Sequence, residues 1–306
     1  MEHQTAADSI GNVHLPYNSS TPRGIEPMLP QSAADISGFL TRVGGSARTR
    51  GLVIERPTRC ASDLTDLDFM ECTSAAAGQG DCAAHGKIVH IGRNGATVLQ
   101  TSPEAAPEVV WCGNAAAAVG LLWKDKSGYV KLYGPAGKSA LVSFSTTGTM
   151  VNQDWILPPP ECTEDAWRGR AVLRCAALND YAVVLDSLPD DVNPEQARRA
   201  LVGPGLGAKL AVVVRPPDGA AHVAFYNADG THGAAPMTGL ATLAIIARFS
   251  PLMASFISDG TVTYQTKAGS ITAPLPAVYV EPGGSMTIPM PTVEVLLSPF
   301  AGGRAQ

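Results

Sequence analysis

From about residue 50 the chain alternates short apolar runs with turn residues. The run "RGLVIERPT", from Arg50, is bounded by charge and proline and predicts a first strand. "GKIVHIGRNGATVLQTS", from Gly86, predicts a hairpin turning at Asn94-Gly95, because that dipeptide tolerates the positive φ angles of a tight turn. The pattern then changes. In "VVWCGNAAAAVGLLW", residues 109 to 123, an extended apolar run passes through Cys-Gly-Asn into an alanine-rich stretch. Asn114 can serve as an N-cap, so a helix is predicted over 115–124, apolar nearly all round and therefore buried. "GYVKLYGPAGKSALVSFSTTGTMVNQDW" returns to alternation broken by glycine, and "LPPPEC", residues 157 to 162, cannot pair within a central sheet because proline lacks an N–H.

The second half repeats the first. "GKIVHIGRNG" matches "AKLAVVVRPPDG" at 208 to 219: a lysine, an apolar strand, an arginine and a turn closing on glycine. "CGNAAAAVGLL" from Cys112 matches "TGLATLAIIAR" from Thr238: a small polar residue, a glycine and a buried helix. Two copies of one strand-rich unit around a buried helix account for both matches. The expected organisation is a polar arm over 1–35, a first domain over 36–158, a second over 159–282, and a terminal segment, 283–306, free to return to the first.

Composition narrows this picture. With 306 residues, 45% hydrophobic and 16% charged, the chain is long enough for two modest cores and too apolar to be disordered. High glycine and proline, 31 and 24 residues, with 6% aromatics, suit many short strands. A net charge of −5 without a Lys/Arg cluster argues against nucleic-acid binding. Six cysteines without a CxxC pair read as reduced thiols. No signal-peptide pattern opens the sequence, and "GLATLAIIARF" is too short to span a bilayer. A cytoplasmic location without membrane attachment is expected. "GPGLGAKL" lacks the Ser/Thr that follows lysine in a phosphate loop, and no His/Cys cluster has ligand spacing, so neither a cofactor nor a metal is expected.

Four stretches carry a resemblance. "GGSAR", residues 44 to 48, is similar to a Gly-Gly-Thr-Ser-Arg/Lys segment. "HGKIVHIG", from His85, resembles Ser-Lys-Val-Ala-Val-Val. "CGNAAAAVG" resembles Cys-Gly-Asn-Leu-Ser-Ala-Ala-Val-Gly, and "THGAAPMTGLATLA", from Thr231, resembles a segment His-Arg-Ala…Thr-Gly-Ala. These are motifs of the diaminopimelate epimerase-like superfamily, and the chain looks most like its methylitaconate Δ-isomerase and methylaconitate isomerase branch. The resemblance implies an α+β fold of two similar domains, each a β-barrel-like sheet around one helix, with the active site in the cleft where both helix N-termini point. A homodimer is compatible with it. It places Cys112 and Lys87 as proton carriers. Ser46, Arg48, His85, Gly113, Asn114, His232, Thr238 and Gly239 become candidates for holding substrate.

The chemistry fits such a cleft. Unpaired N–H groups and the helix dipole favour anions, so a substrate carboxylate can bind there while a thiolate removes a proton from an adjacent carbon. Epimerases of the superfamily carry a cysteine on both helices, and here the second position is Thr238. One base and one acid suffice for a 1,3-proton shift, which favours an allylic isomerase or tautomerase acting on an unsaturated carboxylate, cofactor-independent, with Lys87 as second carrier. An amino-acid-type epimerase or racemase and a non-catalytic ligand-binding relative are the alternatives. Val109, Val110 and Trp111, ahead of the cysteine, would make the approach to the thiol apolar and suit a bulkier substrate of specialised metabolism. Taken alone, Cys112 would be read as a small packed residue, Lys87 as a solvated strand end, and His85 and His232 as turn residues. Lys209 repeats Lys87 in a structural role, and Asp63, Asp66 and Asp68 read as a solvated turn.

Overall fold

The computed structural model describes residues 35–43, 47–56, 60–61, 86–102, 105–123, 128–203, 205, 207–215, 221–227, 232–233, 236–267, 269–279 and 284–299. Among the described residues twenty strands form two sheets. The first contains β1 (Asp35–Val43), β2 (Ala47–Arg56), β3 (Lys87–Gly92), β4 (Gly95–Ser102), β5 (Ala105–Val109), β6 (Tyr129–Tyr133), β7 (Ser139–Thr147) and β8 (Met150–Leu157). The second runs from β9 (Cys162–Trp167) and β10 (Arg170–Cys175) through β11 (Tyr181–Leu185), β12 (Lys209–Val214), β13 (Ala221–Tyr226) and β14 (His232–Gly233) to β15 (Ile257–Ser258), β16 (Thr261–Thr266) and β17 (Gly269–Pro274). The chain leaves the first sheet at Pro158–Glu161 and rejoins it through β18 (Ala277–Tyr279), β19 (Ser285–Pro289) and β20 (Val293–Pro299).

The return closes a ring. β20 pairs with β1 and with β8, and β7 pairs with β8, so β8-β20-β1-β2-β3-β4-β6-β7 is a closed barrel of eight strands. An eight-stranded bore is just wide enough for side chains to fill. A helix threaded through it has to be thin, and Gly113–Leu122 is: Gly113, Ala115 to Ala118 and Gly120 give it almost no girth. All residues from Gly113 to Gly120 are buried. At Gly120 an added Cβ would stand 2.4 Å from Phe144 Cδ1. Gly120→Val should therefore destabilise the fold by roughly 1–3 kcal/mol through overpacking, read as a lower urea midpoint with an unchanged denaturant slope.

The second sheet repeats the pairing order of the first without closing. β1-β2-β3-β4-β6-β7 corresponds to β10-β11-β12-β13-β16-β17, with parallel steps at β2–β3 and β4–β6 matched by β11–β12 and β13–β16. A second helix, Met237–Phe249, covers its inner face and is buried from Met237 to Ala247. One continuous core joins the two, containing Trp111, Val119 and Trp155 as well as Leu173, Tyr181 and Leu240. A smaller apolar cluster, Val172, Ala182, Val184 and Leu210 with Ala197 and Leu201, seats the helix Pro194–Leu201 on the outer face. Among the described residues no helix is long and apolar enough to cross a membrane.

Three details differ from the sequence expectation. The β3–β4 hairpin turns on Arg93 and Asn94, with Gly95 already paired to Gly92, rather than on Asn94-Gly95. The first helix starts at Gly113 rather than 115 and ends at Leu122. Cys112, not Asn114, is its N-cap, because the Asn114 side chain is spent on the barrel wall. A strand also precedes the run at Arg50: β1, whose nine-residue ladder with β2 supplies the barrel's first hairpin.

Candidate functional site

The N-termini of the two central helices meet. An added Cβ on Gly113 would lie 3.0 Å from Met237 Cβ, so glycine is what allows this approach. Cys112 has an extended backbone, and its carbonyl accepts the N–H of Ala116 at 2.9 Å. Its half-buried side chain makes no capping hydrogen bond. The thiol is thus placed beside first-turn N–H groups without being used to satisfy them. Asn114 Nδ2 donates to Thr49 Oγ1 on β2 at 2.9 Å, while its Oδ1 is buried without a hydrogen-bond partner. Behind the motif, Gln153 Nε2 donates to the Gly113 carbonyl at 2.9 Å and Gln153 Oε1 accepts from Trp155 Nε1 at 3.0 Å. Trp155 packs edge-on against Trp111, ring centres 5.5 Å apart.

Asn179 ties the two helix ends together. Its Oδ1 accepts the Trp111 N–H at 3.1 Å, and its Nδ2 donates to the Trp111 carbonyl at 2.8 Å and to Thr238 Oγ1 at 3.1 Å. The residue before the cysteine and the first turn of the second helix therefore share one buried amide. Tyr181, two residues on, is also buried, and its hydroxyl lies 2.9 Å from where a Cβ on Gly239 would stand. Burial pushes this phenol up first, with Cys112 adding to the shift and Thr238 opposing it. The hydroxyl nevertheless completes no well-formed hydrogen bond. A neutral O–H donor thus sits among Cys112, Thr238 and Gly239.

Lys87 opens β3. Parallel partners Gly51 and Lys87 share a face, and Val89 and Ile91, at alternate positions beyond Lys87, belong to the core around the helix, so Lys87 lies on the inward face. It is level with Gly51, two residues along β2 from the Thr49 that receives Asn114. Its Nζ donates to Gln100 Oε1, directly opposite on β4. The second half copies the arrangement: Lys209 opens β12, is buried, pairs with Tyr181, and donates to Asn227 Oδ1 at 3.4 Å.

The structure thus gathers Cys112, Gly113, Asn114, Thr238 and Gly239 at one place and sets Lys87 on the barrel wall nearby. Arg48 lies on β2 opposite Arg42, and His232 on β14 opposite Tyr226. Ser46, His85, the acidic run Asp63, Asp66 and Asp68, and the arm up to residue 34 lie outside the described residues. Of the residues expected to make the approach to the thiol apolar, Val110 and Trp111 are buried in the core, the Val110 N–H donating to the Val98 carbonyl at 2.9 Å and Trp111 packing against Trp155, while Val109 is half-buried. Sequence reasoning missed Asn179, Tyr181 and Gln153. The repeat contained a signal for two of them, because Asn179 and Tyr181 occupy the second-half places of Thr49 and Gly51. Among the described residues no group of three or more His, Cys, Asp or Glu could hold a metal ion.

No protein-family model and no curated protein matches the sequence. Solved structures do match. A predicted epimerase from Pseudomonas aeruginosa superposes with a TM-score of 0.55 at 13% identity, over 87% of this chain and 99% of that one. A phenazine biosynthesis protein of the PhzF family from Bacillus anthracis gives 0.52 at 9% identity, over 87% and 99%. A hydroxyproline epimerase from Agrobacterium vitis, with trans-4-hydroxy-L-proline bound, gives 0.51 at 15% identity, over 86% and 90%. At these identities the likeness establishes the fold: a closed barrel and a half-barrel around two helices, the two-domain diaminopimelate epimerase-like architecture.

Proposed function

We propose that this protein is a cofactor-independent isomerase that moves a proton, and with it a C=C bond, in a small unsaturated carboxylate. The observation that carries the reading is the position of Cys112: a thiol at a helix N-cap, unused by the helix, where two helix N-termini converge. The thiolate takes a proton from a saturated allylic carbon, and the anion left behind is conjugated with the carboxylate. Charge moves onto oxygen, where the N–H groups of Gly113, Asn114 and Gly239 and the Tyr181 hydroxyl receive it. Lys87 exchanges the proton with Cys112 and so completes the shift to the other allylic carbon. Ser46, Arg48, His85, His232 and Thr238 remain candidates for holding substrate. Incubation of the protein with a panel of unsaturated acids in heavy water should place deuterium on one carbon of an accepted member. The absence of exchange across the whole panel would remove this reading.

Inversion of a stereocentre is the second reading, favoured by a second proton-bearing group, the Tyr181 phenol, close enough to Cys112 to feel its charge, and by the superposition on a hydroxyproline epimerase. An inverting site needs a second group that accepts a proton as readily as it gives one. Tyr181 holds its proton too firmly for that and suits a donor. Tyr181→Phe should lower turnover roughly 10²–10³-fold, the scale of losing one oxyanion donor. Stability should stay within about 1 kcal/mol, because the hydroxyl makes no hydrogen bond to lose. Loss of stability with unchanged turnover would make the phenol a packing residue.

A further inference from the structure

The two cysteines that begin β9 and end β10 stand opposite each other. β9 and β10 form a hairpin whose two turn residues, Arg168 and Gly169, have φ of 50° and 76°. Two central residues with positive φ make the type I′ turn that matches strand twist. Such a turn is flanked by a hydrogen-bonded pair, here Trp167 and Arg170. Hydrogen-bonded and non-hydrogen-bonded pairs alternate along an antiparallel ladder. The ladder runs without a register shift to its sixth pair, Cys162 with Cys175, which is therefore non-hydrogen-bonded. Residues in that position have Cα atoms about 4.5 Å apart and side chains on the same face, within the roughly 4.4–6.8 Å that a disulfide spans.

The two thiols are unequal. β9 is the edge of its sheet, so Cys162 is reachable and only half-buried, whereas Cys175 is buried in the core. A hydrogen bond from Cys175 holds Cys162 below the ordinary thiol range, with burial opposing, while the same hydrogen bond and burial push Cys175 up. The attacking group in thiol–disulfide exchange is the thiolate, and access decides which sulfur reacts. The row continues across the sheet through Tyr181 to Lys209, placing Cys175 directly beside Tyr181 and Cys162 one strand further out.

We infer that Cys162 and Cys175 are a thiol–disulfide pair that low-molecular-weight disulfides oxidise, Cys162 attacking and Cys175 resolving. The Cys162 thiolate attacks one sulfur of the small disulfide, forming a mixed disulfide and releasing one thiolate. Cys175 then gives up its proton to solvent, attacks the Cys162 sulfur and expels the second thiolate. Two protein thiols are oxidised to one S–S bond, and the small disulfide is reduced to two thiols. Capture of Cys162 removes the charged neighbour and the hydrogen bond that hold the Cys175 proton in place, so the first step opens the way to the second.

The test uses the folded full-length chain with oxidised glutathione, followed by N-ethylmaleimide, digestion and mass mapping. The peptides carrying Cys162 and Cys175 should be joined and unalkylated, and the melting temperature should rise by roughly 5–10 °C relative to the reduced protein. Cys175→Ser should retain glutathione on Cys162. Cys162→Ser, a half-buried edge substitution, should leave Cys175 unlinked and alkylated only after denaturation, and it decides the matter if Cys175→Ser does not fold. Separate alkylation of both cysteines in the wild type, or a stable glutathione adduct on Cys162 with Cys175 present, overturns the inference.

Discussion

Replacing Cys112 by Ser should lower the rate of deuterium exchange by roughly two to four powers of ten, the usual scale for losing a general acid–base group. The fold should survive. The side chain is half-buried, makes no capping bond, and occupies an N-cap where Ser is among the preferred residues, so stability should hold or rise by about 0.5–1 kcal/mol. Lys87→Met should slow the reaction to a similar extent, and Cys112→Ser with Lys87→Met should be little worse than either alone, since residues that act as one unit are not additive. Full exchange in Cys112→Ser beside a dead Lys87→Met would assign the chemistry to the lysine and leave the thiol as packing. The two variants differ in structural risk. Lys87 donates to Gln100 on the inward wall, so a methionine there strands an amide, and Lys87→Met must be checked by circular dichroism before its rate is interpreted.

How far the sequence reveals this molecule depends on the range over which each feature is specified. The hairpin of β3 and β4 is local: six apolar-rich residues, a turn and a complementary strand, although Gly92 stands opposite Gly95 and the turn falls on Arg93 and Asn94, one residue earlier than Asn94-Gly95. The buried first helix is also local, because an alanine-glycine run that is apolar all round has no solvent face. The two-fold repeat could be read because each half places lysine at the head of an inner strand. Closure of the barrel could not, since it depends on β20, more than a hundred residues from β8, pairing with both β1 and β8. β1 was obscured for a related reason: "ISGFLTRV" adjoins a polar lead-in, and its alternation makes sense only once β2 and β20 flank it. At the site, the N-terminal motif of the first helix was legible because Cys-Gly-Asn is chemically unusual there. Asn179 and Tyr181 were not, because "ALNDYAVVL" reads as an ordinary turn entering a strand. Their importance arises from what faces them across the core: the backbone of Trp111 and the first turn of the second helix.

That dependence makes Asn179 the residue whose loss should cost the fold most. Asn179→Ala would leave the Trp111 N–H, the Trp111 carbonyl and the Thr238 hydroxyl without their shared partner, all in a core that excludes water. An unsatisfied buried polar group costs about 1–3 kcal/mol, and relaxation recovers part of the sum, so the expected loss is roughly 3–5 kcal/mol by urea denaturation. Thr49, the corresponding residue of the first half, supplies a single contact to Asn114, and Thr49→Val should cost only about 1 kcal/mol. The contrast between the two separates a bridge from an ordinary side-chain bond. The bridge also holds the peptide unit directly before Cys112, so Asn179→Ala should change the alkylation rate of Cys112 under native conditions, whereas Thr49→Val, acting one residue beyond Gly113, should change it less. Asn179→Ala with wild-type stability would mean that Trp111 and Thr238 find other partners and that the helix ends are held by packing between Gly113 and Met237 alone.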